Sequence, residues 1–273
     1  MIPAPFEYVR ADSADQALTL ITEHGDDAKF IAGGMSLIPL MKLRLATPTV
    51  LVDVGRLQDL SYVRVDGATV KIGALTRHRA LETDAGLAAN CGVLQAVAAQ
   101  VGDNQVRHRG TIGGSVAHGD PASDLPAALL ALDADFVVRG PGGERTIPSA
   151  QFFQGFLETA LAPDELLVEI QVPATGKNGF SYQKFNRRAQ DWAIVGALAV
   201  KADGATRIGL VNMGSTPLRA TAVEAALADG ASAADAAQQA DAGTEPAADL
   251  NASIEYRRHL ARVLVRRALE ASA

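Results

Sequence analysis

The chain has 273 residues, a single cysteine, and 31 acidic against 25 basic side chains. One thiol excludes an internal disulfide, a thiolate-rich zinc site and a self-contained iron–sulfur cluster. The net charge of −6 and the 5% aromatic content argue against nucleic acid as the main partner.

The first 57 residues predict a small α/β unit. Ser13 and Gln16 form a capping box at the start of the first helix, and Gly25 is predicted to end that helix. The residues TVLVDV have the pattern of a strand buried on both faces, as in a parallel sheet. The predicted elements are a helix over 14–24, a strand at 30–31, a glycine loop at 33–36, a helix over 37–45 and a strand over 49–54.

Residues 58–172 predict a second unit with more antiparallel character. Asp66-Gly67 lies between two alternating apolar segments and predicts a hairpin, as does the glycine-rich turn at 140–143. A second glycine loop, 110–115, precedes a helix that begins at Asp124. Further helices are predicted over 77–82 and 87–101, and a strand over 166–172.

Residues 173–273 predict a third unit. Asp203-Gly204 predicts the turn of another hairpin, between strands over 193–201 and 206–212. Residues 220–250 are rich in alanine and predict a partly helical, mobile surface segment. The last helix begins near Ser253 and carries five arginines, which predict a solvated face or one docked on acidic neighbours.

Several common sites are absent from the sequence. No G-x-G-x-x-G follows a strand and no P-loop occurs, which excludes an ordinary Rossmann site and P-loop nucleotide hydrolysis. Ser36 lacks the last glycine of a nucleophile elbow. The five histidines include no i,i+4 pair, so no metal site is predicted. The longest apolar run, nine residues, is too short to cross a bilayer, and no signal peptide is recognisable, so a cytoplasmic location is expected.

The two glycine loops carry the best signal for ligand binding. Each combines paired glycines with a serine within two positions, Gly33-Gly34 with Ser36 and Gly113-Gly114 with Ser115. Such loops let backbone N–H groups approach an anion closely, and a serine adds a donor. Two of them suit the two phosphates of a pyrophosphate. The alternative is that both are tight turns.

Polar residues also gather near the second loop and farther along the chain. Asp124 is either a ligand contact or a helix cap, and Lys184, Arg187 and Arg188 are either site residues or solvated charges. The sequence patterns leave both alternatives open.

At these residues the sequence resembles a known family. Residues 32–44, AGGMSLIPLMKLR, and 105–126, QVRHRGTIGGSVAHGDPASDLP, resemble the two flavin-binding signatures of the medium subunit of molybdenum hydroxylases. That family includes carbon monoxide dehydrogenase and the flavin domain of xanthine dehydrogenase. Residues 191–193 and 256–260 are similar to its C-terminal domain.

The resemblance implies an α+β fold. Two α/β subdomains of the vanillyl-alcohol-oxidase or PCMH type, 1–57 and 58–172, would sandwich FAD. A C-terminal domain, 173–273, would contain a three-stranded antiparallel sheet and helices. The cofactor-binding positions that it implies are Ala32, Gly33, Gly34, Met35, Ser36, Thr111, Ile112, Gly113, Gly114, Ser115, Asp124, Leu167, Lys184 and Trp192.

The resemblance also implies a function. FAD in this chain would pass electrons from a [2Fe–2S] small subunit to an external acceptor, after a large subunit has oxidised its substrate at a molybdenum cofactor. The assembly would be a heterotrimer or a dimer of heterotrimers, carbon-monoxide-dehydrogenase-like or aldehyde-type.

No catalytic side chain is expected, because the flavin carries the chemistry. Met35, His108 and Gly119 depart from the family pattern, which weakens the inference for side-chain contacts there. The alternatives are a stand-alone flavin oxidoreductase and a non-enzymatic nucleotide-binding scaffold.

Overall fold

The computed structural model describes residues 2–202 and 204–272. Its first part is a three-stranded parallel sheet with the order β1-β3-β2, as the doubly buried strand pattern predicts. Ser13 begins α1, with its Oγ 3.1 Å from the Gln16 N–H, and Gly25 follows the helix at a φ of +54°. The elements are β1 (Glu7–Arg10), α1 (Ala14–His24), a 3₁₀ turn (Gly25–Asp27), β2 (Ala28–Ile31), α2 (Leu37–Leu43) and β3 (Val50–Asp53).

The second part is a five-stranded antiparallel sheet with the order β4-β5-β10-β6-β7, accompanied by six helices among the described residues. Both predicted hairpins are present, β4–β5 and β6–β7. The elements are a 3₁₀ turn (Gln58–Leu60), β4 (Val63–Asp66), β5 (Thr69–Gly73), α3 (His78–Thr83), α4 (Ala85–Ala98), α5 (Asn104–Arg109), α6 (Ile112–His118), α7 (Asp124–Ala131), β6 (Asp135–Gly140), β7 (Gly143–Pro148), α8 (Ser149–Phe152), β8 (Phe153–Gly155), β9 (Glu158–Thr159) and β10 (Leu166–Pro173).

The third part contains an antiparallel sheet with the order β11-β12-β13-β14. It has four strands rather than the three expected, because the short segment Leu218–Arg219 pairs with the outer edge of β13. The predicted β12–β13 hairpin is present, although Asp203 of its turn lies outside the described residues. The elements are β11 (Phe180–Phe185), β12 (Val195–Ala202), β13 (Ala205–Val211), β14 (Leu218–Arg219), α9 (Thr221–Ala228), α10 (Ala233–Ala236), a 3₁₀ turn (Ala237–Gln239) and α11 (Ile254–Ala271).

The alanine-rich segment 220–250 is partly helical and largely at the surface, as its composition predicts, but several of its residues are buried. Val223, Ala236, Ala237 and Ala240 are fully buried against the C-terminal sheet and α11. Small side chains let these short helices approach the sheet closely and pack tightly against it. The prediction of a surface location is therefore wrong for these residues.

The hydrophobic cores cross the boundaries between the three parts. Leu166 and Val168 of β10 complete the core of the N-terminal sheet. In the C-terminal sheet, Leu198 packs into the middle core, whereas Ala197 packs against α9–α11 on the opposite face. The three parts therefore pack as one continuous body, and the division at residues 57 and 172 stays a prediction. Within residues 2–202 and 204–272, no helix is long and apolar enough to cross a membrane.

Candidate functional site

A cavity of about 810 Å³ lies where the three parts of the chain meet. Its volume is within the range of small-molecule and cofactor sites, about 300–1,000 Å³. Of the predicted site residues, all but Ile112 line it, and the Ile112 side chain is fully buried in the middle core. The lining set is Ala32, Gly33, Gly34, Met35, Ser36, Thr111, Gly113, Gly114, Ser115, Asp124, Leu167, Lys184 and Trp192.

The first glycine loop, residues 32–36, presents free backbone donors to this cavity. Across the described part of the chain, the N–H groups of Gly33, Gly34, Met35 and Ser36 have no hydrogen-bond acceptor. Gly34 has a φ of +74°, which an L-residue rarely adopts. Backbone N–H groups in native proteins nearly always have a partner, so a row of four free donors indicates a place for an anionic ligand or ordered water.

The second glycine loop differs from the first, although their sequences suggested the same role. Residues 112–115 form the first turn of α6, and their N–H groups already donate within the chain. Gly113 donates to the Ala74 carbonyl at 2.8 Å, and Gly114 donates to the Thr111 hydroxyl at 3.1 Å. What this loop offers the cavity is the Ser115 hydroxyl, which has no partner within residues 2–202 and 204–272.

The two loops lie in direct contact. A Cβ on Gly33 would overlap the carbonyl oxygen of Arg109 and lie 2.9 Å from the Cα of Gly110, the first residue of the second loop. A Cβ on Gly113 would lie 2.6 Å from the Ala74 carbonyl oxygen. Both distances are shorter than real Cβ contacts, so glycine is required at both positions for close backbone packing.

A buried ion pair forms another wall of the cavity. Lys184 on β11 donates from Nζ to Asp124 Oδ2 at 2.8 Å and to the Gln100 carbonyl oxygen at 2.9 Å. Tyr182, two residues earlier on the same strand, donates to Asp124 Oδ1 at 2.5 Å. Burial raises the pKa of the Asp124 carboxyl, against the opposing effects of Lys184 and Tyr182. The cluster joins α7 of the middle part to the C-terminal sheet.

Leu167 and Trp192 occupy irregular positions in the backbone. The register of β10 against β6 shifts between Leu167 and Glu169, so Leu167 lines the cavity at a β-bulge. The Trp192 side chain is 56% exposed at the cavity, and the chain after it is held from two sides. Asn212 donates to the Ala193 carbonyl oxygen at 2.8 Å, and Arg257 donates to that of Ile194.

Two histidines line the cavity with lowered pKa values. Burial, helped by the nearby charges of Arg77 and Arg107, lowers the pKa of His78 to about 4. Its Nδ1 is buried and has no partner in the described part of the chain. Burial also lowers the pKa of His118, which Asp120 partly opposes. Both imidazoles are therefore neutral at pH 7. The described residues contain no group of three or more His, Cys, Asp or Glu side chains suited to a metal ion.

Several residues of the site were not selected from the sequence. Tyr182 carries a signal that was available, because it lies two positions before Lys184 on a strand and so shares its face. Arg77 directly precedes α3 and His78 is its first residue, and nothing in the local sequence indicates contact with residues 109–110. Most residues of segment 157–166 also line the cavity; this segment spans the short strand β9 and the start of β10 and has no motif of its own.

Comparison with known proteins identifies the family. Residues 4–175 match the FAD binding domain in molybdopterin dehydrogenase, and residues 180–272 match the CO dehydrogenase flavoprotein C-terminal domain. The carbon monoxide dehydrogenase medium chain of Hydrogenophaga pseudoflava is 42% identical over 100% of this chain and 98% of its own length. Subunit alpha of the 6-hydroxypseudooxynicotine dehydrogenase complex of Paenarthrobacter nicotinovorans is 40% identical over 98% and 95%, respectively.

A solved structure agrees with these relatives. The fold matches a carbon monoxide dehydrogenase from Hydrogenophaga pseudoflava, solved without the Mo-pyranopterin moiety of its cofactor, with a TM-score of 0.95. The match has 43% identity and covers 100% of this chain and 98% of the other. The chain therefore belongs to the FAD-binding medium subunits of the molybdenum hydroxylases, the family of carbon monoxide dehydrogenase, and is an FAD-dependent oxidoreductase subunit of such a complex.

Proposed function

We propose that FAD lies in the cavity between the two glycine loops, with its pyrophosphate against the first loop. The observation that carries this proposal is the row of free N–H groups from Gly33 to Ser36 on the wall of a cavity large enough for a dinucleotide. The Ser36 and Ser115 hydroxyls add uncommitted donors from the two sides. Gly33 and Gly113 have no Cβ, which lets neighbouring backbone pack closely, as expected for a phosphate site formed by backbone groups.

The remaining site residues have proposed roles along the same ligand. Thr111 and Ile112 fix the turn that presents Ser115, and the Asp124–Lys184 pair supplies fixed charge beside the ribityl or ring portion. Leu167 and Trp192 supply apolar contacts for the isoalloxazine ring. FAD, when bound, supplies the redox chemistry. The residues of this chain bind it, orient it and keep water from part of its surface.

We propose that the chain works between two partners. It receives electrons from a [2Fe–2S] small subunit, which takes them from a molybdenum-cofactor large subunit, and it delivers them to an external acceptor. A heterotrimer or a dimer of heterotrimers in the cytoplasm is part of this proposal. Copurification of the three chains from the native source, followed by native mass measurement, tests the partners and their stoichiometry.

The substrate class of the complex is a separate proposal. We propose carbon-monoxide-dehydrogenase-like or aldehyde-type oxidation, which the similarity to the carbon monoxide dehydrogenase medium chain supports. A relative named for a different substrate is nearly as similar, at 40% against 42% identity. Nearly equal identities to relatives named for different substrates are expected if the substrate binds in the large subunit and not in this chain. Assaying the copurified complex with carbon monoxide and with aldehydes separates the two.

Flavin binding by the purified chain is the direct test of the site. After incubation with FAD and gel filtration, we expect the chain to retain about one FAD, detected by visible absorbance. Riboflavin, which lacks the pyrophosphate, should be lost under the same conditions. A chain that retains no FAD contradicts the proposal. A bound flavin that is never reduced or reoxidised in a redox titration would instead favour the nucleotide-binding scaffold.

Replacing Gly33 should weaken FAD binding more than it weakens folding. In Gly33→Ala the added methyl overlaps the Arg109 carbonyl, so the loops must separate, at a cost of about 1–3 kcal/mol for overpacking. If binding must restore the original separation of the loops, this cost raises the dissociation constant for FAD by about fivefold to a hundredfold. Gly142→Ala is the matched control, because a Cβ on Gly142 in the β6–β7 turn meets no atom within 4 Å. Equal affinities in the two variants would place the ligand elsewhere.

A further inference from the structure

Arg77 lies beside the cavity and contacts two separate stretches of backbone. It precedes α3, is half-buried, and carries two hydrogen bonds from the two ends of its guanidinium. Nη2 donates to the Gly55 carbonyl oxygen at 3.0 Å, and Nη1 donates to the Arg109 carbonyl oxygen. Burial and the charge of Arg109 lower the pKa of the Arg77 guanidinium, while Asp53 opposes them. Neither acceptor is a carboxylate, so these contacts position backbone rather than neutralise charge.

Both of these backbone stretches pack against the first glycine loop. A Cβ on Gly55 would lie 2.8 Å from the Ala32 carbonyl oxygen, at the start of the loop. A Cβ on Gly33 would overlap the same Arg109 carbonyl oxygen that accepts from Arg77. The guanidinium therefore holds the two surfaces between which residues 32–33 are packed.

We propose that Arg77 is a positioning residue for FAD binding, which sets the separation between the end of β3 and residues 109–110 and thereby the shape of the first loop. This inference rests on the proposed function of the loop. Arg77 does not need to touch the ligand. Its effect passes through Ala32 and Gly33, whose backbone begins the row of free N–H donors.

The geometry requires the fork of an arginine rather than positive charge alone. A guanidinium is planar and holds its donors at fixed separation, so one side chain reaches two carbonyl groups at once. A lysine ammonium is a compact charge on a flexible stem and lacks this fixed spacing. Arg77→Lys should therefore retain the positive charge but not the two simultaneous hydrogen bonds to the Gly55 and Arg109 carbonyl groups.

The test compares Arg77→Met, Arg77→Lys and Arg262→Met in the full chain. Arg262 forms a bidentate pair with Asp241 at 2.7 and 2.6 Å in the C-terminal part and serves as the control. We expect Arg77→Met to raise the dissociation constant for FAD at least about tenfold, given two lost hydrogen bonds from a charged group. Arg77→Lys should remain several-fold weaker than the wild type, and Arg262→Met should bind FAD normally.

A second readout does not depend on flavin. Without FAD, amide hydrogen exchange of residues 107–110, where the Arg107 and Gly110 N–H groups donate within the chain, should be faster in Arg77→Met than in the wild type, with little change in the C-terminal sheet. Unchanged exchange with unchanged affinity would overturn the inference, as would full recovery by lysine. The proposed function is judged separately, because it predicts that the wild type binds FAD and that Gly33→Ala binds it more weakly, whatever Arg77 does.

Discussion

Lys184→Met should destabilise the FAD-free chain by about 3–5 kcal/mol at pH 7, the usual cost of removing one partner from a buried ion pair. Both side chains of the pair are almost completely buried, at 3% and 6% exposure for Lys184 and Asp124. Without the ammonium, the Tyr182 hydroxyl is the one donor left to the Asp124 carboxylate among the described residues. Urea unfolding followed by circular dichroism measures the change.

The double variant Asp124→Asn/Lys184→Met provides the control. An amide at position 124 carries no charge to bury, so the double variant should recover much of the lost stability. The pKa of Asp124, already raised by burial, loses the opposing effect of Lys184 in the single variant. A carboxyl whose pKa is raised in the folded state destabilises the fold most at pH values above that pKa, where it is ionised. The loss of unfolding free energy in Lys184→Met should therefore be smaller at pH 5 than at pH 7. Equal stability of single and double variants at pH 7 would contradict this account.

The parts of the site that follow local rules could be predicted from the sequence. Gly33, Gly34 and Ser36 form a loop between β2 and α2 because paired glycines permit the backbone that this turn needs, and Gly34 indeed has a positive φ. Local spacing likewise predicts the β4–β5 and β6–β7 hairpins. The resemblance to the flavin-binding signatures supplied what local rules cannot, namely the identity of the ligand.

The parts that depend on long-range packing could not be predicted. Residues 112–115 look like a second free loop, yet Ala74, far away in sequence, accepts the Gly113 N–H. The contact of Arg77 with the Gly55 carbonyl depends on how two separate units dock. The two-residue strand β14 forms only because the edge of β13 is available to it. In the first two cases the partner is distant in sequence, and no periodicity within one segment specifies it; β14 pairs with the nearby end of β13 but is too short to show a strand period.

Acidification from pH 6.5 to pH 4 should remove about 3 kcal/mol of stability through His78 alone. The pKa of His78 falls to about 4 in the folded chain because the imidazole is buried and faces the charges of Arg77 and Arg107. In the unfolded chain it is ordinary, about 6.5. The unfolded state therefore binds the proton first, and stability is full above pH 6.5 and declines as the pH falls toward 4.

The comparison of His78→Gln with His259→Gln isolates this effect. His259 is exposed on α11 and serves as the matched control. His78→Gln should reduce the difference in unfolding free energy between pH 7 and pH 4 by about 3 kcal/mol, since glutamine does not titrate. His118, whose pKa is also lowered, contributes a slope of the same sign that remains in both variants. If His78→Gln keeps the full wild-type slope, the imidazole is not the group whose protonation opposes folding.

Because His78 packs against Gly110, protonation of His78 should also weaken FAD binding below pH 5. This loss of affinity should be absent in His78→Gln.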